Sequence, residues 1–287
     1  MQIDSLVISH NAIFRIHFKI MGVKHLWGIL DSVKEKKGLD YMRGQVLCID
    51  LSIWIVEAKK TLEFVTSVKK PHLRNLLFRV LSLRRLGVKL VFVTEGKPPD
   101  LKQNTMRQRN NIRYKSKATS RKGNDSTVKK VNRSRFQAVI NECCQLLDLL
   151  GVPHVKAAGE AEAMCAKLSK EGLVDGCITN DGDTFLYGAK LVYRDLGIDP
   201  KDPHILRYDI SDIHSRLNLK QEDMVGLALL SGCDYTDGVK GVGKTLIHRF
   251  LEERHFDEDL LQRLDLEIHY FVILYNMDTF FATVCCA

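Results

Sequence analysis

The chain has 287 residues, 45% hydrophobic and 27% charged, enough to bury a core in one large domain or two small ones and too apolar for overall disorder. Its net charge of +8 is uneven: residues 100–135 carry twelve Lys and Arg against Asp100 and Asp125, a surplus of ten, so the remainder is slightly acidic. No apolar run reaches the roughly 18 residues a bilayer requires, and Asp4, His10, Asn11, Arg15 and Lys19 break up the first twenty residues too often for a secretory signal.

In chain order, four short apolar runs stand out, each followed by an acid. Val46 to Ile49 leads to Asp50, Lys89 to Val93 to Glu95, Val152 to Val155 to Glu160, and Gly176 to Thr179 to Asp181. Between them the spacing predicts helices. Leu73, Leu76, Leu77, Val80, Leu81 and Leu86 form a stripe between Pro71 and Gly87; Phe136, Val139, Ile140, Cys143, Leu146, Leu147 and Leu150 form another, with Ser134 as the cap. Alternating strand and helix implies an α/β fold with a largely parallel central sheet flanked by helices. The basic stretch, rich in Ser, Gly and Asn, reads as a mobile loop suited to a solvated face or a polyanion. The eight cysteines contain no C-x-x-C spacing, which disfavours a zinc finger or a secreted disulfide scaffold and favours a reducing compartment.

The acids carry the chemistry. In parallel sheets ligands bind beyond the carboxyl ends of the strands. Glu162 and Asp183 lie two residues after Glu160 and Asp181, and Asp234 follows the apolar run Leu227 to Leu230. Residues two apart do not share a helix face, so these pairs fit a helix start or a loop. Crowded carboxylates repel unless a cation neutralises them, and oxygen donors alone favour Mg²⁺ or Mn²⁺. Two ions about 3.5–4 Å apart suit phosphodiester hydrolysis. Beside so basic a segment, nucleic acid is the matching substrate. Lys102 and Arg109 lie seven apart, two helical turns along one face, and read equally as a grip on the scissile phosphate or as two ordinary solvated cations.

Residues Gly238 to Thr245 match the phosphate-loop pattern G-x-x-x-x-G-K-[ST]. That loop should follow a strand, whereas Glu222 to Leu230 reads as a helix, so a helix-hairpin-helix that holds a DNA phosphate is expected and no nucleotide cofactor.

These motifs resemble, in order, the Rad2/XPG family of structure-specific nucleases: Met21 to Trp27, Ile49 to Ser52, Val93 to Pro99, Gly159 to Ala163, Thr179 to Asp183, Gly232 to Tyr235 and Gly241 to Lys244. Within the family the chain is similar to the GEN branch of Holliday-junction resolvases, through Lys70 to Asn75, Glu95 and Asp183 to Gly188. The resemblance implies a PIN-like nuclease fold and a Mg²⁺-dependent endonuclease of recombination and repair that cuts Holliday junctions and 5′ flaps. It makes Asp50, Glu95, Glu160, Glu162, Asp181, Asp183 and Asp234 metal ligands for two ions, with Mn²⁺ as a substitute, and Lys102 and Arg109 the phosphate-steering pair. Gly22, Gly241, Gly243 and Lys244 become DNA-binding residues, with a K⁺ ion at the hairpin, and Ile53, Trp54 and Val56 candidates for a junction wedge or simply core.

By the same resemblance the chain divides into an atypical extension (1–20), a nuclease region (21–115), a short basic arch (116–135), an internal nuclease region (136–220), the helix-hairpin-helix region (221–263) and a divergent tail (264–287). Branched double-stranded DNA in the nucleus, a homodimer on four-way junctions and no membrane are the implied partners and setting. For the extension the expectation is either a true start at Met21 or a weak targeting segment, and for the divergent tail a truncated or mis-spliced gene. The alternative is a truncated, weakly active or inactive module that binds branched DNA, and a nucleotide hydrolase is the third hypothesis.

Overall fold

A computed structural model describes residues 22–23, 25–62, 68–97, 102, 125–236 and 238–239. The expectations for the extension, Arg109, Gly241, Gly243, Lys244, the hairpin beyond Val239 and the tail lie outside these residues.

The elements are α1 (Leu26–Leu30), β1 (Glu35–Lys37), β2 (Val46–Asp50), α2 (Leu51–Leu62), α3 (Pro71–Arg85), β3 (Lys89–Thr94), α4 (Asp125–Leu149), β4 (His154–Lys156) and α5 (Ala161–Lys170). There follow β5 (Gly176–Ile178), α6 (Asp183–Leu186), β6 (Leu191–Gly197), β7 (His204–Asp209), α7 (Ile210–Leu217) and α8 (Gln221–Ser231). The sheet order is β1-β7-β6-β5-β2-β3-β4. Strands β6, β5, β2, β3 and β4 run parallel to one another, while β7 pairs antiparallel with β6 and β1 antiparallel with β7.

Alternation along the strands splits the core into two layers. Cys48, Val93, Cys177, Val192 and Tyr208 face α1, α5, α7 and α8. Leu47, Ile49, Phe92, Ile178 and Tyr193 face α2, α3 and α4. In α3, Pro71 at the helix start and Arg84 and Arg85 in its last turn favour the helix at both ends. Its buried residues Leu76, Val80 and Leu83 each gain about 1.5–3 kcal/mol from leaving water.

Two expectations change and one open choice narrows. Leu81 of the α3 stripe is exposed and Leu83 takes its place in the core, while Phe78, also exposed, lies under the Arg74 guanidinium. The helix expected to start at Ser134 begins at Asp125, which truncates the expected basic loop from its carboxyl side. The sequence permits this, since neither Gly nor Pro occurs between Asp125 and Leu149. Finally, of the two roles left open for Ile53 and Trp54, wedge or core, their burial, with Trp54 edge-on to Phe92 at 5.3 Å, favours the core. Among the described residues no helix is long and apolar enough to cross a membrane, and six cysteines are free thiols.

Candidate functional site

The order in which strands are added to the sheet reverses between β2 and β5: successive strands run outward to β3 and β4 on one side and to β6 and β7 on the other. Such a switch point leaves a crevice beyond the strand ends. The acids meet there. Asp50 closes β2, Glu95 follows β3, Glu160 caps the start of α5 with Glu162 in its first turn, Asp181 follows β5, Asp183 opens α6, and Asp234 follows α8. The pairs expected at a helix start and a loop occupy those places.

Two groups form. Oxygens of Asp50, Glu95 and Glu162 lie within 4.8 Å of one another, as do those of Glu162, Asp181 and Asp183, so Glu162 belongs to both. Asp50, Glu160, Glu162, Asp181, Asp183 and Asp234 are buried. Burial, reinforced by Glu95, raises the Asp50 carboxyl well above its ordinary range. Burial also raises Glu95, Glu162 and Asp183, in each case with help from neighbouring carboxylates, and it pushes Asp181 up to about 6. The cluster therefore holds its protons more tightly than isolated acids do.

Backbone contacts fix the carboxylates. Asp50 Oδ1 accepts the Ser52 N–H at 2.7 Å and Glu95 Oε2 the Ala161 N–H at 3.0 Å. Asp181 Oδ1 accepts the Asp183 N–H at 3.0 Å, and Asp183 Oδ1 the Val23 N–H at 2.7 Å. Gly96 brings the β3 and β4 loops together. Its N–H donates to the Gly159 carbonyl at 2.8 Å, and a Cβ there would stand 2.1 Å from the Ala157 carbonyl oxygen.

Gly22 lies against the acids with φ +78°, and a Cβ on it would come within 2.2 Å of Asp181 Oδ1 and 2.6 Å of Asp183 Oδ1. Position 22 thus admits glycine alone without displacing those carboxylates.

Lys102 enters the cluster itself. Its ammonium pairs with Glu160, and lies 3.4 Å from Glu162 Oε1 and 3.2 Å from Asp234 Oδ2. Those three carboxylates outweigh the cost of burial and raise its pKa.

Two tyrosines hold the other side of Glu160. The Tyr187 hydroxyl donates to Glu160 Oε2 at 2.9 Å, the Tyr235 hydroxyl donates to the same oxygen, and the two hydroxyls lie 2.8 Å apart. The sequence assigns neither tyrosine a role by itself, although Tyr235 ends the Gly232 to Tyr235 motif and Tyr187 lies within the Asp183 to Gly188 motif. The signal in the sequence is a phenol close to an expected ligand, one residue after Asp234 and four after Asp183. The phosphate-loop pattern at 238–245 follows helix α8 instead of a strand, so the context a nucleotide loop needs is missing.

The family model for the XPG N-terminal domain matches residues 21–116, and that for the XPG I-region matches residues 151–234. The proteins called flap endonuclease GEN homolog 1 from Mus musculus and Homo sapiens are each 48% identical over 246 residues, 85% of this chain and 26% of theirs. The chain thus spans about a quarter of the length of these curated relatives. The crystal structure of human GEN1 in complex with Holliday junction DNA superposes with a TM-score of 0.70 at 44% identity, covering 92% of this chain and 63% of that one.

Proposed function

This chain belongs to the XPG family of nucleases, and we propose that it is a structure-specific DNA endonuclease that cuts branched DNA, Holliday junctions and 5′ flaps, in the nucleus. The observation that carries the reading is the convergence of acids from β2, β3, β5, α5 and α8 on one crevice.

The donor set suits hard divalent ions, because both groups offer only carboxylate oxygens. Asp50, Glu95 and Glu162 would hold one Mg²⁺ and Glu162, Asp181 and Asp183 a second, with Mn²⁺ able to substitute. Glu160 and Asp234 would take part directly or through water. The chemistry such ions supply when bound is a lowered pKa for water and neutralisation of charge on phosphoryl oxygens.

The remaining residues bind and orient. Lys102, already among the acids, is placed to meet a phosphate, and Arg109 is its proposed partner. Tyr187 and Tyr235 orient Glu160, while Gly22 lets backbone and DNA approach Asp181 and Asp183 closely. The surplus of basic residues over 100–135 supplies a salt-sensitive attraction to the DNA backbone. Gly241, Gly243 and Lys244 are proposed to hold duplex phosphates at a hairpin with K⁺, and pairing of two copies on a four-way junction would give two incisions.

The deciding experiment offers labelled four-way junctions and 5′ flaps to the purified chain, with Mg²⁺ or with chelator. Mg²⁺-dependent incision near the branch point is expected. Tight junction binding with no product at any Mg²⁺ concentration would replace this reading with that of a DNA-binding module.

The raised carboxyls give a second expected outcome. Asp181 has a folded pKa of about 6 against an ordinary 3.8, so between those values the folded chain holds the extra proton. Its contribution to metal-free stability is therefore greatest below about pH 4 and declines as pH rises through about 6. Metal binding displaces such protons. The rise in Tm on adding saturating Mg²⁺ should accordingly be small near pH 5 and several degrees larger near pH 8. Thermal melts across that range test it, and a pH-independent increment would contradict the assignment of these acids to the metal.

A further inference from the structure

Asn180 lies between the strand β5 and Asp181, yet its side chain turns away from the acids. Its Nδ2 donates to Glu57 Oε1 on α2, while its Oδ1 accepts the Asp195 N–H on β6 at 3.0 Å. The Asn180 carbonyl accepts the Trp27 indole N–H from α1 at 3.0 Å. Three separate elements therefore grip this one residue.

Behind Glu57 stands a buried cation. Arg79 of α3 donates to Glu57 Oε2 at 2.7 Å, with the two side chains only 12% and 9% exposed, and its guanidinium packs over the Trp54 ring at 4.9 Å. Asp195 adopts a left-handed backbone, φ +53°, which for a non-glycine residue has to be held in place by its surroundings. It is this residue's N–H that meets Asn180.

We propose that Asn180 is a positioning residue: a relay Arg79–Glu57–Asn180, running from the helix layer across the sheet from the acids, sets the loop that carries Asp181 and Asp183 for metal binding. The inference rests on the metal-nuclease reading above and adds to it residues that touch neither metal nor DNA. Drawing carboxylates together without their cation is repulsive, so the loop needs an external anchor to stay in register. The Thr179 hydroxyl accepts the Asp181 N–H at 3.0 Å and the Thr184 hydroxyl donates to the Asp181 carbonyl at 3.1 Å, so Asp181 is held within the same short loop whose backbone Asn180 anchors. A carboxamide suits the place because it donates to a carboxylate and accepts from a backbone N–H with one planar group. Aspartate keeps the acceptor, loses the donor and sets a second charge against Glu57.

The test measures Mn²⁺ dissociation constants by electron paramagnetic resonance without DNA, Tm in chelator, and metal activation of junction cleavage. Asn180→Ala should weaken Mn²⁺ binding by about 10-fold or more, in the range seen when a group supporting a ligand is removed. Saturating metal should bring kcat back to within about threefold of the parent, with KM for DNA unchanged, since the loss lies in metal occupancy. Asn180→Asp should weaken Mn²⁺ binding at least as much, and adding Glu57→Gln to it should recover most of the loss by supplying the amide from the other side.

Parent-like Mn²⁺ affinity in Asn180→Ala would overturn the proposal, as would failure of the folded Asn180→Asp, Glu57→Gln pair to regain affinity; if Asn180→Ala does not fold, the pair decides alone. An unaltered chain that binds no Mn²⁺ and cuts no DNA would instead overturn the metal-nuclease reading, and the relay with it.

Discussion

Asp181→Asn is expected to lower junction cleavage by about 10³-fold or more while leaving junction binding in Ca²⁺ nearly unchanged, and to raise the Tm of the metal-free chain. The two effects have opposite signs for one reason. With a divalent ion present, Asp181 supplies one of three clustered carboxylate oxygens, and losing several kcal/mol of charge stabilisation costs a factor of ten for each 1.36 kcal/mol. Without the ion, burial holds the carboxyl at about 6, so ionising it near pH 7.5 works against folding by roughly 3 kcal/mol at most. The neutral amide removes that penalty and keeps an oxygen to accept the Asp183 N–H. Cleavage assays paired with melts in chelator read both signs. A fall in activity accompanied by a fall in Tm would mean that Asp181 is structural, and activity within tenfold of the parent would remove it from the metal site.

Asp181 was accessible from sequence because strand ends and acids share one signature. The runs before Asp50, Glu95 and Asp181 are largely apolar, as central parallel strands must be, and they became β2, β3 and β5, while the run before Glu160 became the edge strand β4, where Val155 is exposed. The rest of the sheet was less visible. β6 and β7 pair antiparallel and alternate weakly, and no acid of the cluster follows directly from them. β1 consists of Glu35, Lys36 and Lys37, three residues with no strand preference, and it is extended because β7 offers an open edge. Here tertiary pairing overrides local propensity.

Within the site, the acids were legible and their supports were not. Carboxylates declare themselves by charge, whereas Tyr187, Tyr235 and Asn180 act through single hydrogen bonds whose partners lie tens of residues away or across the sheet. Periodicity cannot reveal such a pairing. Trp54 shows the opposite ambiguity: an aromatic near a DNA-binding motif fits a functional role or the core equally well by sequence, and its contacts with Phe92 and Arg79 put it in the inner layer.

Lys102 shows the same limit most clearly, and replacing it should have the second large effect. Sequence reading set it beside the acidic edge as a phosphate grip, whereas its ammonium reaches among Glu160, Glu162 and Asp234, with its side chain 16% exposed. Lys102→Met should therefore act on folding as well as on rate. Taking one partner from a buried ionic group costs about 3–5 kcal/mol, so in chelator near pH 7.5 the variant should melt well below the parent. Mg²⁺ should return much of that loss, because a divalent ion can neutralise the carboxylates the lysine left behind, and Mg²⁺ affinity without DNA should rise once a competing cation is gone. Cleavage should nevertheless fall by about 10²–10³-fold at saturating Mg²⁺, the usual result of losing a group that meets charge in the transition state. Lys102→Arg should fall between the two, keeping the charge on a wider, planar head. Melts with and without Mg²⁺, read beside single-turnover cleavage, separate the contributions: an unchanged Tm in chelator would refute the ion pairs, and full cleavage would refute the phosphate contact. A lysine that balances the acids in one state and meets a DNA phosphate in the other would tie the charge of the site to the arrival of its substrate.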